Sequence, residues 1–297
     1  MPLTRLLLRR PPDSDTPPPA LPWTWLRGPQ PLASAPLQSR RIFRSPACDS
    51  KLEADGPEQA QLRQHFAQAR ARFPGPGYLE WLQFFQQLLA PATYLEIGVE
   101  SGASFAFAQA PTLAVGVDPQ LDIRYALRAR SKLFPLTSDA FFAQPDLDAV
   151  FEGRGIELAF IDGLHTFDQA LTDFRHIEQH AQRHTIVLFH DTVPIDPLTA
   201  SRQRESIFWC GDTWKAIVLL RRHRPDLQIL TLPTYPSGLT VVAQLDPQSR
   251  VLSERFDELF DEAMRWRFED FHDELGRHLN EIPNEAEQVV RCLNGGA

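Results

Sequence analysis

Several residues whose types suit ligand handling fall where strands should end. Glu96, Gly98 and Gly102 lie in TYLEIGVESGASF, residues 93–105. Glycines there can take positive φ and let a backbone come close to a ligand. A carboxylate just before the first glycine can accept hydrogen bonds from a ligand's polar end. Asp118 follows Gly98 by twenty residues, the spacing at which a carboxylate can accept from both hydroxyls of a ribose. The alternative for Asp118 is a turn-forming aspartate before Pro119. Ser138 and Asp139 follow a third apolar run, Asp162 and His165 a fourth, and His190 and Asp191 a fifth. Neighbouring parallel strands lie about 4.8 Å apart, so groups at their ends can meet around one ion. The candidate ion ligands are Asp162, His190 and Asp191. His190 and Asp191 can both ligate from adjacent positions of one strand only if the chain has already turned, because successive residues point to opposite faces. Magnesium prefers oxygen, so a histidine in the set suits manganese, iron or zinc better. Either His165 or His190 can act as a general base near neutral pH; His165 is also placed to cap a helix starting near Thr166.

These residues need elements to hold them. Tyr94, Leu95 and Ile97 form a strand buried on both faces, as in a parallel sheet. A helix is expected around Ala103 to Gln109, with its free N–H groups over the turn. Further strands are expected at Thr112–Val117, Leu133–Leu136, Leu158–Ile161 and Ile186–Phe189. Phe167, Ala170, Leu171, Phe174 and Ile177 keep helical spacing. Residues 213–222 read as a helix with Asp212 as its N-cap. Leu227–Leu232 and Gly238–Ala243 are joined by too short a turn for a parallel crossover, so they form an antiparallel hairpin. The fold class is α/β: a doubly wound, mostly parallel Rossmann-like sheet closed by that hairpin and flanked by N- and C-terminal helices.

Around this body, residues 1–50 are rich in proline and arginine and read as a disordered tail, in which Trp23 and Trp25 suggest docking on the body. Residues 51–92 form a helical layer, with helices after Pro57 and from about residue 78 to Pro91. Residues 93–246 form the main domain, and residues 247–297 a helical cap or a homodimer surface. The net charge is −8, which disfavours nucleic acid as a partner. The charge is uneven, since residues 1–44 carry seven arginines and two aspartates. No apolar run is long enough for a transmembrane helix, and the N-terminus has too short an apolar core for a secretory signal. Cys48, Cys210 and Cys292 form no metal or disulfide pattern and point to a reducing compartment, the cytoplasm. Residues 192–212 form a long connection of the kind that makes a lid, with Phe208, Trp209 and Trp214 either lining a pocket or anchoring the loop. Lys215 reads as a helix-surface residue.

Taken together, LEIGVESG, GVDP at 116–119, FIDGLHTFDQALTDF at 160–174, FHD at 189–191 and GDTWK at 211–215 resemble a class I S-adenosylmethionine-dependent methyltransferase, over roughly Tyr78 to Asp246. The resemblance implies that Glu96, Gly98 and Gly102 surround the methionine and ribose parts of S-adenosylmethionine, that Asp118 holds the ribose, and that Ser138 and Asp139 sit near the adenine. The turn lacks the family's commoner Gly-x-Gly-x-Gly. The triad Asp162, His190 and Asp191 resembles the metal ligands of catechol-type O-methyltransferases, making a divalent metal a second candidate cofactor. The expected reaction is methyl transfer to an oxygen of a small molecule, a sugar or a secondary metabolite, with Asp162, His165 and His190 as catalytic candidates. Two rivals are an NAD(P)-dependent oxidoreductase, disfavoured by the incomplete glycine pattern and the hairpin, and a non-catalytic cofactor-binding scaffold.

Overall fold

The computed structural model describes residues 56–294. The tail expected at residues 1–50 therefore lies outside the described residues. In chain order the elements are α1 (Pro57–Arg72), α2 (Tyr78–Leu89), β1 (Thr93–Ile97), β2 (Gln109–Val117), β3 (Arg128–Phe134), α3 (Ser138–Phe142), α4 (Leu147–Val150), β4 (Ile156–Ile161), α5 (Phe167–Gln179), β5 (Ala181–His190), α6 (Trp214–His223), β6 (Gln228–Leu232) and β7 (Leu239–Ala243). A helical C-terminal segment follows: α7 (Val251–Glu254), α8 (Phe256–Met264), two 3₁₀ turns, α9 (Leu275–Leu279) and α10 (Ala286–Leu293).

The strands form one seven-stranded sheet in the order β3-β2-β1-β4-β5-β7-β6. Pairing is parallel from β3 through β5, and β7 runs antiparallel to both β5 and β6. The expected closing hairpin is present, and β7 inserts between β5 and β6 rather than adding to the edge. Strand periodicity sorts the core into two layers. Leu95, Ile97, Val115, Val117, Ala159, Ile161, Val187 and Phe189 face one side with α5, α6, α8 and α9. Tyr94, Ala114, Leu158, Phe160, Ile186 and Leu188 face the other with α2 and α10. The N-terminal helices do not make one layer: Leu62, Ala69 and Phe73 of α1 join the first cluster, and Trp81, Leu82 and Phe85 of α2 join the second. Leu259, Phe268, Phe271, Leu275 and Leu279 of the C-terminal segment are buried against the chain's own core.

Several local expectations are corrected, and the third strand, expected at Leu133–Leu136, runs earlier, over Arg128–Phe134. The helix expected from Ala103 to Gln109 is a single 3₁₀ turn, Phe105–Phe107, and Gln109 already begins β2. The connection is too short for both a helix and a return, and Phe105 drops into the core, where it is 1% exposed. Asp212 is not the N-cap of α6, whose N-cap is Thr213. Its carboxylate instead accepts from the Phe167 N–H in the first turn of α5 at 3.0 Å and pairs with Arg202 and Lys215, both at 3.4 Å. Lys215 is accordingly buried rather than on the helix surface.

Candidate functional site

The carboxyl ends of β1 to β5 carry the residues singled out from the sequence, and they divide into two groups. The first surrounds the turn after β1. Gly98 has φ +89°, and a Cβ there would stand 2.0 Å from the carbonyl oxygen of Asp162, so only glycine lets β1 and β4 end this close together. Gly102, at φ +82°, closes the turn through its N–H to the Val99 carbonyl at 2.8 Å. Glu96 is wholly buried, accepting from the Tyr94 hydroxyl and the Ser104 hydroxyl, each at 2.5 Å. Burial raises its pKa to about 8 against those two bonds, which favour the charged form. Glu96 thereby ties β1 to the segment beyond the turn.

Asp118 is half-buried at the end of β2. Its Oδ2 accepts from the Glu100 N–H at 2.8 Å and its Oδ1 from the Gln120 N–H at 2.6 Å. The turn reading of Asp118 is thus realised, and each oxygen keeps a second lone pair for a hydroxyl donor. Ser138 opens α3, and its hydroxyl accepts from the Gln169 amide at 3.2 Å; the Asp139 carboxylate accepts from the same amide at 3.1 Å. This amide also reaches Asp173 at 3.0 Å, so both residues are tied to α5. Burial lifts Asp173 to about 6, opposed by its bonds to Ser138 and Gln169.

The second group sits at the ends of β4 and β5 and is made of charge. His190 Nδ1 lies 3.1 Å from Asp162 Oδ1 and 3.2 Å from Asp191 Oδ2. His165 Nε2 lies 3.2 Å from Asp191 Oδ2 and 3.5 Å from Asp162 Oδ1. The turning condition for adjacent His190 and Asp191 is met: Asp191 has φ +57°, which swings its carboxylate back beside the histidine. Ser237, from the β6–β7 connection, donates its hydroxyl to Asp191. His165 Nδ1 lies 3.0 Å from the Trp209 carbonyl, and the Trp209 ring stacks on the imidazole at 5.3 Å. The loop reaches His165 because position 211 is glycine: a Cβ there would lie 1.7 Å from the His165 carbonyl oxygen. The cap position of α5 belongs to Thr166, which leaves His165 free of that role.

Burial pulls both histidines down, and the carboxylates of Asp191 and Asp162 more than reverse this, to about 9 for His165 and about 10 for His190. Burial pushes both aspartates up, and the imidazoles overturn that too, leaving Asp162 and Asp191 below the usual carboxylate range. At neutral pH each imidazole therefore holds a positive charge, and neither is a ready base. The donor atoms of Asp162, His165 and Asp191 lie within 4.8 Å of one another. A divalent ion could take the place of a proton there, with His165 rather than His190 as the nitrogen ligand; His190 bonds to both carboxylates from behind.

Three contributors escaped sequence reasoning. Tyr78 lays its ring over His190 with centroids 4.0 Å apart. Ser237 has no motif around it. The exposed Leu164 lies between Asp162 and His165, 60% accessible. Of the loop aromatics, only Trp209 borders the group; Phe208 packs on Phe66 of α1, and Trp214 is fully buried.

Residues 95–192 match the sequence model of a family described as a methyltransferase domain. That span runs from β1 to just past β5 and holds every candidate site residue read from the sequence, while Tyr78, Trp209 and Ser237 lie outside it. Among curated proteins, no sequence matches this chain. Among solved structures, the chain is similar to the SAH-bound methyltransferase PaMTH1 of Podospora anserina, at 18% identity and TM-score 0.41 over 71% of this chain and 97% of that one. It is also similar to the O-methyltransferase TomG of Streptomyces achromogenes, involved in tomaymycin synthesis and solved with SAM, at 13% identity and TM-score 0.40 over 67% and 95% of the two chains. A third is the O-methyltransferase of Bacillus cereus in complex with SAH, at 13% identity and TM-score 0.38 over 66% and 96%. No helix among the described residues is long and apolar enough to cross a membrane.

Proposed function

We propose that this chain, a class I S-adenosylmethionine-dependent methyltransferase, transfers the methyl group to an oxygen of a small molecule bound beside a divalent cation. One observation carries the reading. The glycine turn with Asp118 and the Asp162–His165–Asp191 group stand at the same sheet edge, on either side of the β1–β4 boundary. The order of strands reverses direction there, and open α/β sheets bind ligands at that crevice.

In this reading the turn at Gly98 and Gly102 admits the methionine part of the cofactor, and the spare lone pairs of Asp118 accept from the ribose hydroxyls. Ser138 and Asp139 stand at the next strand end, where the adenine belongs. The sulfonium methyl is already activated, so the protein's work is alignment and disposal of the acceptor's proton. Asp162, His165 and Asp191 would hold manganese, iron or zinc, a choice set by two carboxylates and one imidazole. Such an ion would lower the pKa of an acceptor hydroxyl. His165 Nε2, protonated without the ion and bound to it otherwise, is no base in either state, so the acidified acceptor hydroxyl would lose its proton to water. The two carboxylates favour a positive charge at that atom in either case. His190 braces Asp162 and Asp191 and acts as a positioning residue.

The test is incubation with methyl-labelled S-adenosylmethionine, manganese and a panel of hydroxylated small molecules, followed by product analysis. Label in a base-stable methyl ether that disappears in Asp162→Asn supports the reading. Label appearing on nitrogen or carbon, or turnover unchanged by metal chelation and by Asp162→Asn, would overturn it.

A further inference from the structure

The two groups meet at the β1–β4 boundary, and a side chain from outside the matched span stands beside it, over the ends of β4 and β5. Tyr78 is the first residue of α2. Its position is fixed at the backbone. Its own N–H donates to the Tyr235 carbonyl at 3.0 Å, and the Gly77 N–H donates to the Glu80 carboxylate at 2.5 Å. The ring rests 4.0 Å from the His190 ring and 6.4 Å from that of Phe160, both on the α2 side of the sheet. Its hydroxyl has no hydrogen-bond partner among the described residues. Burial, and then Asp162, Asp191, Glu96 and Glu100, hold its pKa well above the ordinary phenol value, so it stays neutral. Those carboxylates come from both groups: Glu96 and Glu100 flank the glycine turn, and Asp162 and Asp191 belong to the charged cluster.

An uncharged oxygen with free lone pairs, set among carboxylates, suits a cationic neighbour. The methyl must cross from the glycine-turn side to the Asp162 side, so the sulfonium belongs at this boundary. We propose that Tyr78 contacts the sulfonium centre of S-adenosylmethionine and discriminates this cation from the neutral thioether left after transfer. The proposal rests on the cofactor reading above and adds a residue that the family match does not contain. A purely structural Tyr78 would only shelter His190, and phenylalanine would do that equally well.

The difference between those roles can be read without knowing the acceptor. S-Adenosylmethionine and S-adenosylhomocysteine are titrated calorimetrically into the full-length wild type, Tyr78→Phe and Tyr78→Leu, with melting temperatures recorded. Tyr78→Phe should keep the wild-type melting temperature and bind S-adenosylhomocysteine within about twofold of wild type, while binding S-adenosylmethionine about five- to tenfold more weakly. Tyr78→Leu should shift the ratio of the two affinities in the same direction. Equal weakening of both ligands, or no change in either, would overturn the proposal. A wild type that binds neither ligand would overturn the cofactor reading and this proposal with it, and that failure is visible before any variant is made.

Discussion

The two halves of the site are built by different means. Around β1 and β2 the backbone does the shaping. Gly98 and Gly102 set the turn, and Asp118 is held by two backbone N–H groups within a few residues of that turn or of itself. At β4 and β5 the shaping is between side chains of distant origin: Asp162, His165, His190 and Asp191 neutralise one another, Ser237 arrives from the closing hairpin, and Trp209 from the long connection. A backbone-built half tolerates side-chain change but not a misplaced Cβ. A charge-built half tolerates small shape changes but not the loss of one partner, because the remaining buried charge is then unpaired.

The contrast can be broken first at Gly98. Gly98→Ala puts a methyl within 2.0 Å of the Asp162 carbonyl at positive φ, and should cost at least about 3 kcal/mol by denaturant unfolding. A loss below about 1 kcal/mol would mean that β1 and β4 separate freely and that the halves are not locked together. The next effect in size concerns the cation. Asp191→Asn should weaken manganese binding, read by calorimetry, at least about tenfold, and Ser237→Ala should weaken it less, since serine acts only through Asp191. Equal loss in both would make Ser237 part of the cation site itself.

A third test lies in pH dependence. Histidines raised above their unfolded values stabilise the metal-free protein fully below about pH 6.5. That contribution is lost as pH rises through about 9 for His165 and about 10 for His190. The lowered aspartates add stability that is present above about pH 4 and lost below it. Glu96, raised to about 8, makes stability fall between about pH 4.5 and 8. Glu96→Gln should therefore flatten the slope of stability between about pH 4.5 and 8 and leave the alkaline limb intact, measured by chemical denaturation across pH. An unchanged slope would show that Glu96 titrates normally.

This division also explains what could be read from sequence. The strands, the hairpin and the glycine turn announce themselves locally, through apolar runs and through Gly98, Gly102 and Asp118. The helix expected after the turn failed because burial of Phe105 overrode local pattern. Asp162, His165, His190 and Asp191 were legible as strand-end residues, but not which imidazole groups with the two carboxylates as a candidate cation site: that depends on the φ of Asp191 and on Gly211 admitting the loop to His165. Tyr78 was legible only as the start of a helix. Nothing in its neighbourhood of the chain says that α2 begins over β5, because that contact is set by packing across more than a hundred residues.

The most direct test of the two-part site is a titration of S-adenosylhomocysteine into wild type, Asp118→Asn and Asp162→Asn. Micromolar binding by the wild type should fall at least about tenfold in Asp118→Asn and stay within about threefold in Asp162→Asn, whose defect is confined to cation binding and turnover. Full binding by Asp118→Asn together with lost binding by Asp162→Asn would place the cofactor on the wrong half and contradict the account.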